Sequence, residues 1–271
     1  MENYLDINRK LWNAKVDAHL KSDFYFLDEF LQGRTSLNSI ELDLLGDVEG
    51  KDILHLQCHF GQDSISLSRL GAKVTGIDLS DKAIDAAIDL AEKCGTDTDF
   101  LVSDVYNLPD ILPQKFDIVF ATYGTIGWLP DLQKWAQVIS HFLKPGGKFV
   151  FVEFHPFVWM FDDDFKYIKY SYFNDEQIIE TKTGTYADRD ADITEEEVGW
   201  NHSTSEVLTS LLEENLKLLS FQEYNWSPYP CFSHIEEVEK SKYQIPEFGN
   251  KVPLVFSLVA QKNKTQNLVL E

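Results

Sequence analysis

A chain of 271 residues, 44% hydrophobic and 25% charged, holds one large α/β domain with an appendage rather than two independent domains. Its formal charge of −21 is spread without a basic block, so nucleic-acid backbones and anionic membrane surfaces are repelled, and no run approaches the roughly 20 apolar residues of a membrane span. Cys58, Cys94 and Cys231 lie far apart, lack a metal-ligand or redox spacing, and read as reduced thiols of a cytoplasmic protein.

Met1 to Asp6 has no basic region followed by an apolar core, which argues against a signal peptide. Residues 3 to 33 read as one or two helices, with Leu5, Leu11, Trp12, Val16 and Leu20 near helical spacing and Phe24 to Leu31 forming a second apolar patch. Gly33 to Leu37 is a loop, and Asn38 to Leu45 a helix.

The stretch from Lys51 to Ser80 organises the rest. Ile53, Leu54 and Leu56 form a short apolar run, Cys58 to Gly61 a small-residue turn, and a helix follows with Asp63 in its first turn. Gly71 closes that helix, and Lys73 to Ile77 make a second strand stopping on Asp78. This is one βαβ unit, whose strands run parallel through a right-handed crossover. Backbone N–H groups at such a turn approach a ligand closely, and an acidic residue ending the second strand accepts hydrogen bonds from ribose hydroxyls, so Asp78 points to a nucleoside-bearing cofactor. A dinucleotide site needs G-x-G-x-x-G, but Gln57 to Gln62 keeps only Gly61, and His59 and Phe60 add bulk where phosphates would lie; NAD is disfavoured.

Ser80 caps a helix from Asp81 to Cys94, which Gly95 ends. Phe100 to Val102 is the third strand, with Ser103-Asp104-Val105 at its end, and Phe116 to Ala121 the fourth. A loop from Thr122 to Asp131, a helix from Leu132 to Leu143, a helix stop and turn at Pro145-Gly146-Gly147, and a fifth strand from Lys148 to Phe154 follow.

Five short motifs in this order, the glycine turn, Asp78-Leu79-Ser80, Ser103-Asp104-Val105, Phe116-Asp117-Ile118-Val119 and Leu143-Lys144-Pro145-Gly146-Gly147, resemble the class I S-adenosylmethionine (SAM)-dependent methyltransferases over residues 46 to 155. The departure is the first motif, where His55 and Gln57 stand near the family's acidic position and Gly61 alone keeps a glycine. The resemblance implies an α/β, Rossmann-like sheet of seven strands, mostly parallel with the last strand antiparallel. It implies a helical cap over 1–45, a SAM-binding core over 46–155, a substrate lid over 156–200, the rest of the sheet over 201–262, and a tail over 263–271.

By the same resemblance, the cofactor is S-adenosyl-L-methionine, its sulfonium over the bend of Gln57, His59 and Gly61, its ribose on Asp78 beside Leu79, and its adenine against Asp104 and the Val105 N–H. Asp104 reads alternatively as a turn cap. Tyr123 could stack or hydrogen-bond near the sulfonium, and Trp128 could line the pocket or belong to the core. Arg34 could pair with the cofactor carboxylate or remain a solvated loop residue. The N-terminal helices either cross the cleft or pack on the outer sheet.

His155, with an ordinary pKa near 6.5, is the first candidate for a general base, and Glu153 the second; a structural hydrogen bond is the rival role for His155. Tyr123 is the third catalytic candidate.

From Phe157 to Glu197 an insertion reads as an aromatic hairpin lid, in which Ile178 to Tyr186 pair with strands around Tyr167 to Phe173. Asp162, Asp163 and Asp164 are consecutive, so they point in different directions and lack the alternate spacing of a calcium loop; no metal is expected. His202 reads as a helix-entry hydrogen-bonder or a pocket residue.

A helix from Ser205 to Asn215, a strand from Leu216 to Tyr224, a long loop through Asn225 to Pro230 and Ile235 to Lys242 that closes over the site, and a last strand from Val252 to Lys262 complete the chain. The expected function is methyl transfer to a small-molecule acceptor by a monomer or homodimer, with no nucleic-acid or membrane partner. The rivals are a SAM-binding sensor without turnover and an NAD-dependent reductase, the last disfavoured by the missing glycines and the absent Tyr-x-x-x-Lys pair.

Overall fold

The computed structural model describes residues 3–264, so most of the expected tail lies outside the described residues. α1 (Tyr4–Lys21) starts at Asn3, α2 (Leu27–Leu31) follows a single 3-10 turn at Asp23–Tyr25, and α3 (Ser39–Leu45) is capped reciprocally by Asn38 and Glu41. β1 (Asp52–Leu56), α4 (Gln62–Arg69), β2 (Lys73–Asp78), α5 (Asp81–Cys94) and β3 (Thr98–Val102) build two successive parallel crossovers. The short α6 (Leu108–Ile111), β4 (Phe116–Thr122), α7 (Leu132–Phe142) and β5 (Leu143–Phe154) complete the parallel part. β6 (Ile178–Thr183) and β7 (Thr194–Gly199) form a separate hairpin before α8 (Thr204–Glu213) and β8 (Leu216–Tyr224). A small hairpin of β9 (Glu236–Glu239) and β10 (Lys242–Gln244) precedes β11 (Val255–Lys262).

The main sheet has seven strands in the order β3-β2-β1-β4-β5-β11-β8. β1 to β5 are mutually parallel, and β11 runs antiparallel to both neighbours, as the α/β Rossmann-like expectation required. The order reverses direction at β1, which places a crevice beyond the carboxyl ends of β1 and β4, where ligands of open α/β sheets bind. β1 and β4 are mostly apolar because helices cover both faces: Leu54, Leu56 and Val119 pack with α7, while Ile53 and Phe120 pack toward α3 and α4.

Two expectations are corrected. Pro145-Gly146-Gly147 is not a turn after the helix but a wide bulge inside β5: Phe116 pairs with Leu143 and Ile118 with Lys148, leaving four residues opposite Asp117. A Cβ on Gly147 would stand 3.0 Å from the Asp117 carbonyl oxygen, so a glycine is needed there for close backbone approach.

The lid hairpin also differs. β6 pairs with Thr194–Gly199, not with Tyr167 to Phe173, which contributes only an isolated bridge between Phe161 and Ile168. β7 carries three consecutive glutamates, poor strand formers, and its place is set by tertiary contact: Val198 is buried and its peptide groups bond to α1. The long loop after β8 likewise holds the β9–β10 hairpin.

Candidate active site

A cavity of about 1310 Å³ lies over the carboxyl ends of β1 to β5, roofed by α1, the β6–β7 hairpin and the loop from Trp226 to Tyr243. Of the two readings of the N-terminal segment, the cleft-crossing one holds. Asn13 of α1 accepts the Ser80 hydroxyl at 2.6 Å and donates to Asp81 at 2.8 Å, which fastens the helix to the turn after β2.

The bend after β1 is built without the usual glycines. Gln57, His59 and Gly61 all adopt left-handed backbone, at φ of 55°, 50° and 80°. For non-glycine residues this costs on the order of 1–2 kcal/mol each and persists only where the surroundings enforce it. Here they do: the Cys58 N–H donates to Ile77 O, the His59 N–H to the Asp78 carboxylate at 2.8 Å, and the Gln57 side-chain amide to Thr125 O at 2.9 Å. Gly61 is required for a different reason: a Cβ there would sit 2.6 Å from the Phe100 ring.

Neither bulky residue closes the bend. Phe60 turns into the core beside Ile84 and Ala87. His59 packs against Trp12 and Tyr25, and its Nε2 meets His19 Nδ1 at 2.8 Å. The cavity runs along Gln57, His59 and Gly61, where Gln57 Oε1 and His59 Nδ1 are buried polar atoms with no partner. Burial pushes both histidines toward the neutral form, His19 to about 3.

Asp78 ends β2 facing the cavity. One carboxylate oxygen takes the His59 N–H and the other the Ser80 N–H, both at 2.8 Å, while burial pushes its pKa up to about 6. A ligand diol offered to the remaining lone pairs would return a hydrogen bond to a carboxylate held away from water. Leu79, Asp104 and Val105 border the adjoining recess with Tyr4 and Leu5. The Asp104 carboxylate is already used as a turn cap, accepting the N–H groups of Tyr106 and Asn107 and the Asn107 side-chain amide at 2.6 Å. Trp128 donates its indole N–H to Gly124 O and packs edge-on to Trp12, so its ring is a wall shared with α1. Lys15 of α1 places its ammonium 4.8 Å from the Trp12 ring and 5.7 Å from that of Trp128.

The catalytic candidates at the end of β5, His155 and Glu153, both have their side chains engaged by protein partners. His155 lies outside the cavity lining: its Nε2 meets Glu223 at 2.9 Å, its Nδ1 accepts the Phe157 N–H, and its backbone pairs with Leu254. Glu153 is 1% exposed and spends its carboxylate on the loop after β4, accepting from the N–H groups of Gly124, Thr125, Ile126 and Phe154 and from the Thr125 hydroxyl. It lines the cavity, but both of its oxygens are engaged in holding residues 124–126 and the Phe154 N–H.

Tyr123 does line the cavity, in left-handed backbone with φ of 41°, its ring against Phe154 and edge-on to Tyr229. Its hydroxyl faces the buried carboxyl of Glu41, without a well-aligned hydrogen bond between them. Burial pushes Glu41 up to about 7.

Among the remaining expectations, His202 bonds Leu129 O at 2.8 Å at the entry of α8 and stays out of the cavity. Arg34 stacks on Phe26 at 3.7 Å and borders the cavity. The three aspartates are accounted for separately: Asp162 caps the turn to Lys166 and Tyr167, Asp163 pairs with Lys182, and Asp164 with Lys166. Among the described residues no group of three or more His, Cys, Asp or Glu side chains could hold a metal ion.

Sequence reasoning missed Glu41, Trp12, Lys15, His19, Tyr229 and the place of Asp63 in the cavity lining. Glu41 carried a signal, the Asn38-x-x-Glu41 capping box; the others converge only through tertiary packing.

Comparison with known proteins agrees with this architecture. Residues 53–147 match the methyltransferase domain family. Over 104 residues, 38% of this chain, the sequence is 33% identical to a ubiquinone biosynthesis O-methyltransferase of Coxiella burnetii, covering 44% of that protein. A protein of the same name from Xanthomonas euvesicatoria is 31% identical over 116 residues, 42% of this chain and 48% of that one. The chain thus spans less than half the length of these curated relatives. Among solved structures, an S-adenosylmethionine-dependent methyltransferase from Clostridium acetobutylicum superposes with a TM-score of 0.57 at 17% identity, covering 96% of this chain and 100% of that one. One from Mesorhizobium loti gives 0.56 at 19% identity, covering 86% and 100%. The chain thus carries a methyltransferase domain over residues 53–147 and, around it, the fold of the S-adenosylmethionine-dependent methyltransferases.

Proposed function

We propose that the protein transfers the methyl group of S-adenosylmethionine to a small-molecule acceptor. The observation that carries this reading is the single cavity that joins the Asp78 edge to an aromatic chamber around Tyr123, Phe24 and Tyr229. At about 1310 Å³ it exceeds the roughly 300–1,000 Å³ that one drug-sized ligand occupies, which suits a cofactor and an acceptor side by side. The unpartnered Gln57 Oε1 and His59 Nδ1 and the half-buried Asp78 carboxylate fit the polar groups of such a cofactor.

When bound, the cofactor supplies a sulfonium-activated methyl group, so no enzyme nucleophile is needed. Asp78 would hold the ribose diol, Leu79, Asp104 and Val105 would border the base, and Gln57, His59 and Gly61 would receive the amino-acid end. α1 and Trp128 exclude water above it. Tyr123 and Tyr229 present an aromatic wall that orients the acceptor, and alignment of two reactants is worth up to about 7–11 kcal/mol of barrier. The concave site on a strongly acidic chain suits a small acceptor rather than a nucleic acid, and the free thiols of Cys58, Cys94 and Cys231 suit a reducing cytoplasm.

A second reading, SAM binding without turnover, draws support from Glu153 and His155 both being committed to structural hydrogen bonds. Titration calorimetry with S-adenosylhomocysteine and with NAD tests the shared premise: binding of the first and not the second is expected, and the reverse would sink both readings. Release of S-adenosylhomocysteine against a panel of small metabolites then separates enzyme from sensor.

A further inference from the structure

Asp63, in the first turn of α4, is a cavity-lining carboxylate without a positive partner. One oxygen accepts the Ser36 hydroxyl at 2.5 Å and the other the Thr122 hydroxyl at 3.2 Å, and no ion pair among the described residues includes it. The ionisable groups around it are Glu41 from α3, Tyr123 from the end of β4, Tyr25, Tyr229 and Cys58, all acidic or neutral. Two carboxyls, Glu41 buried and Asp63 half-buried at the cavity wall, therefore share a cluster that lacks a cation, and desolvation holds the Asp63 pKa above its ordinary value. An uncompensated buried carboxylate is costly, and a ligand cation removes that cost.

The place of the cluster says which ligand cation. Asp63 stands between the bend that follows β1 and Thr122 at the end of β4, beside the loop of Arg34 to Ser36. The end of β1 offers no anion of its own: His55 is buried, bonds Ser64 Oγ at 2.8 Å, and is driven to about 3, hence neutral. We propose that Asp63, held by Ser36 and Thr122, is the counter-ion for the α-ammonium at the amino-acid end of the cofactor. The negative charge absent from the end of β1 is thereby supplied from the first turn of α4. Arg34, two residues before Ser36 and bordering the same cavity, suits the carboxylate of the same zwitterion.

The inference rests on the cofactor reading above, and binding alone tests it. Three ligands share one adenosine thioether: S-adenosylhomocysteine, its analogue lacking only the amino group, and 5′-methylthioadenosine, lacking the whole amino-acid end. By calorimetry the wild-type protein is expected to lose at least about tenfold in affinity when the amino group is removed, since truncating one partner of a desolvated charge pair is costly. Asp63→Asn is expected to lose a similar factor for S-adenosylhomocysteine, little for the deaminated analogue, and under about twofold for 5′-methylthioadenosine. Wild-type affinity unchanged by deamination of the ligand overturns the proposal even if the variant does not fold. So does Asp63→Asn weakening all three ligands alike. If the wild-type protein binds none of the three, the cofactor reading itself fails and takes this inference with it.

Discussion

Asn8 of α1 and Val198 of β7 exchange two hydrogen bonds: the Asn8 amide donates to Val198 O at 2.8 Å, and the Val198 N–H donates to Asn8 Oδ1 at 3.0 Å. Both residues are buried. An amide side chain thus occupies the edge of β7 that β6 leaves free, tying α1 to the β6–β7 hairpin where both roof the cavity. Tyr4 against Trp200 and the Lys10–Glu195 ion pair flank the same seam.

Asn8→Ala would leave the Val198 N–H and C=O buried and unpaired, at about 1–3 kcal/mol for each group. The expected outcome is a lower urea midpoint together with faster proteolysis at the turn between β6 and β7. A midpoint equal to that of the wild type would show that cap and hairpin are not coupled through this pair.

Glu153 and His155 are predicted to behave oppositely. Glu153→Gln puts an amide N–H₂ among five donors that point at a carboxylate, and should destabilise by about 3 kcal/mol and weaken S-adenosylhomocysteine binding through the 124–128 loop. His155→Gln should cost about 1 kcal/mol and leave that binding unchanged, because its partners Glu223 and Phe157 lie outside the cavity. Denaturation and calorimetry on the two variants decide; lost binding in His155→Gln with Glu153→Gln intact would return the end of β5 to the active site.

Glu41 gives a pH dependence with a defined sign. Burial lifts its pKa from 4.5 to about 7, against the opposing pull of the Tyr123 hydroxyl and the Asn38 N–H and with the like charge of Asp63 reinforcing it. The folded state therefore keeps a proton that the unfolded chain releases, and wild-type stability attributable to this group falls as pH rises from about 4.5 to 7. Glu41→Gln cannot ionise and still accepts the Asn38 N–H. Its stability relative to wild type should rise across that window by on the order of 2–3 kcal/mol and stay flat above it. Groups such as Asp78 and His19 titrate in both proteins and cancel in the difference. Urea titrations from pH 4.5 to 8 measure it, and a difference independent of pH would mean that Glu41 ionises normally in the fold.

Local chemistry that repeats in sequence was legible, because a parallel strand buried on both faces must be apolar throughout and its helix must begin and end on capping residues. Ile53 to Leu56, the stop at Asp78, the Ser80 cap and the apolar run from Phe116 therefore announced the sheet and the edge where the cavity lies. Even the bend could be located, although its left-handed Gln57 and His59 have no glycine to mark them. What residue type could not reveal was the hydrogen-bond partners: His155 is engaged by Glu223 of a neighbouring strand and Glu153 by the loop after β4.

The sequence by itself determined the βαβ core and the identity of the carboxylate closing β2, since both follow from short-range periodicity and from turn and cap residues. Only the tertiary structure decided that Thr194–Gly199, not Tyr167 to Phe173, pairs with β6, that α1 crosses the cleft, and that Glu41 and Asp63 meet in one cluster without a cation. Those contacts join residues far apart in the chain. Their energies come from burial and from hydrogen bonds that exist only once the packed elements have excluded water, and no local pattern records them.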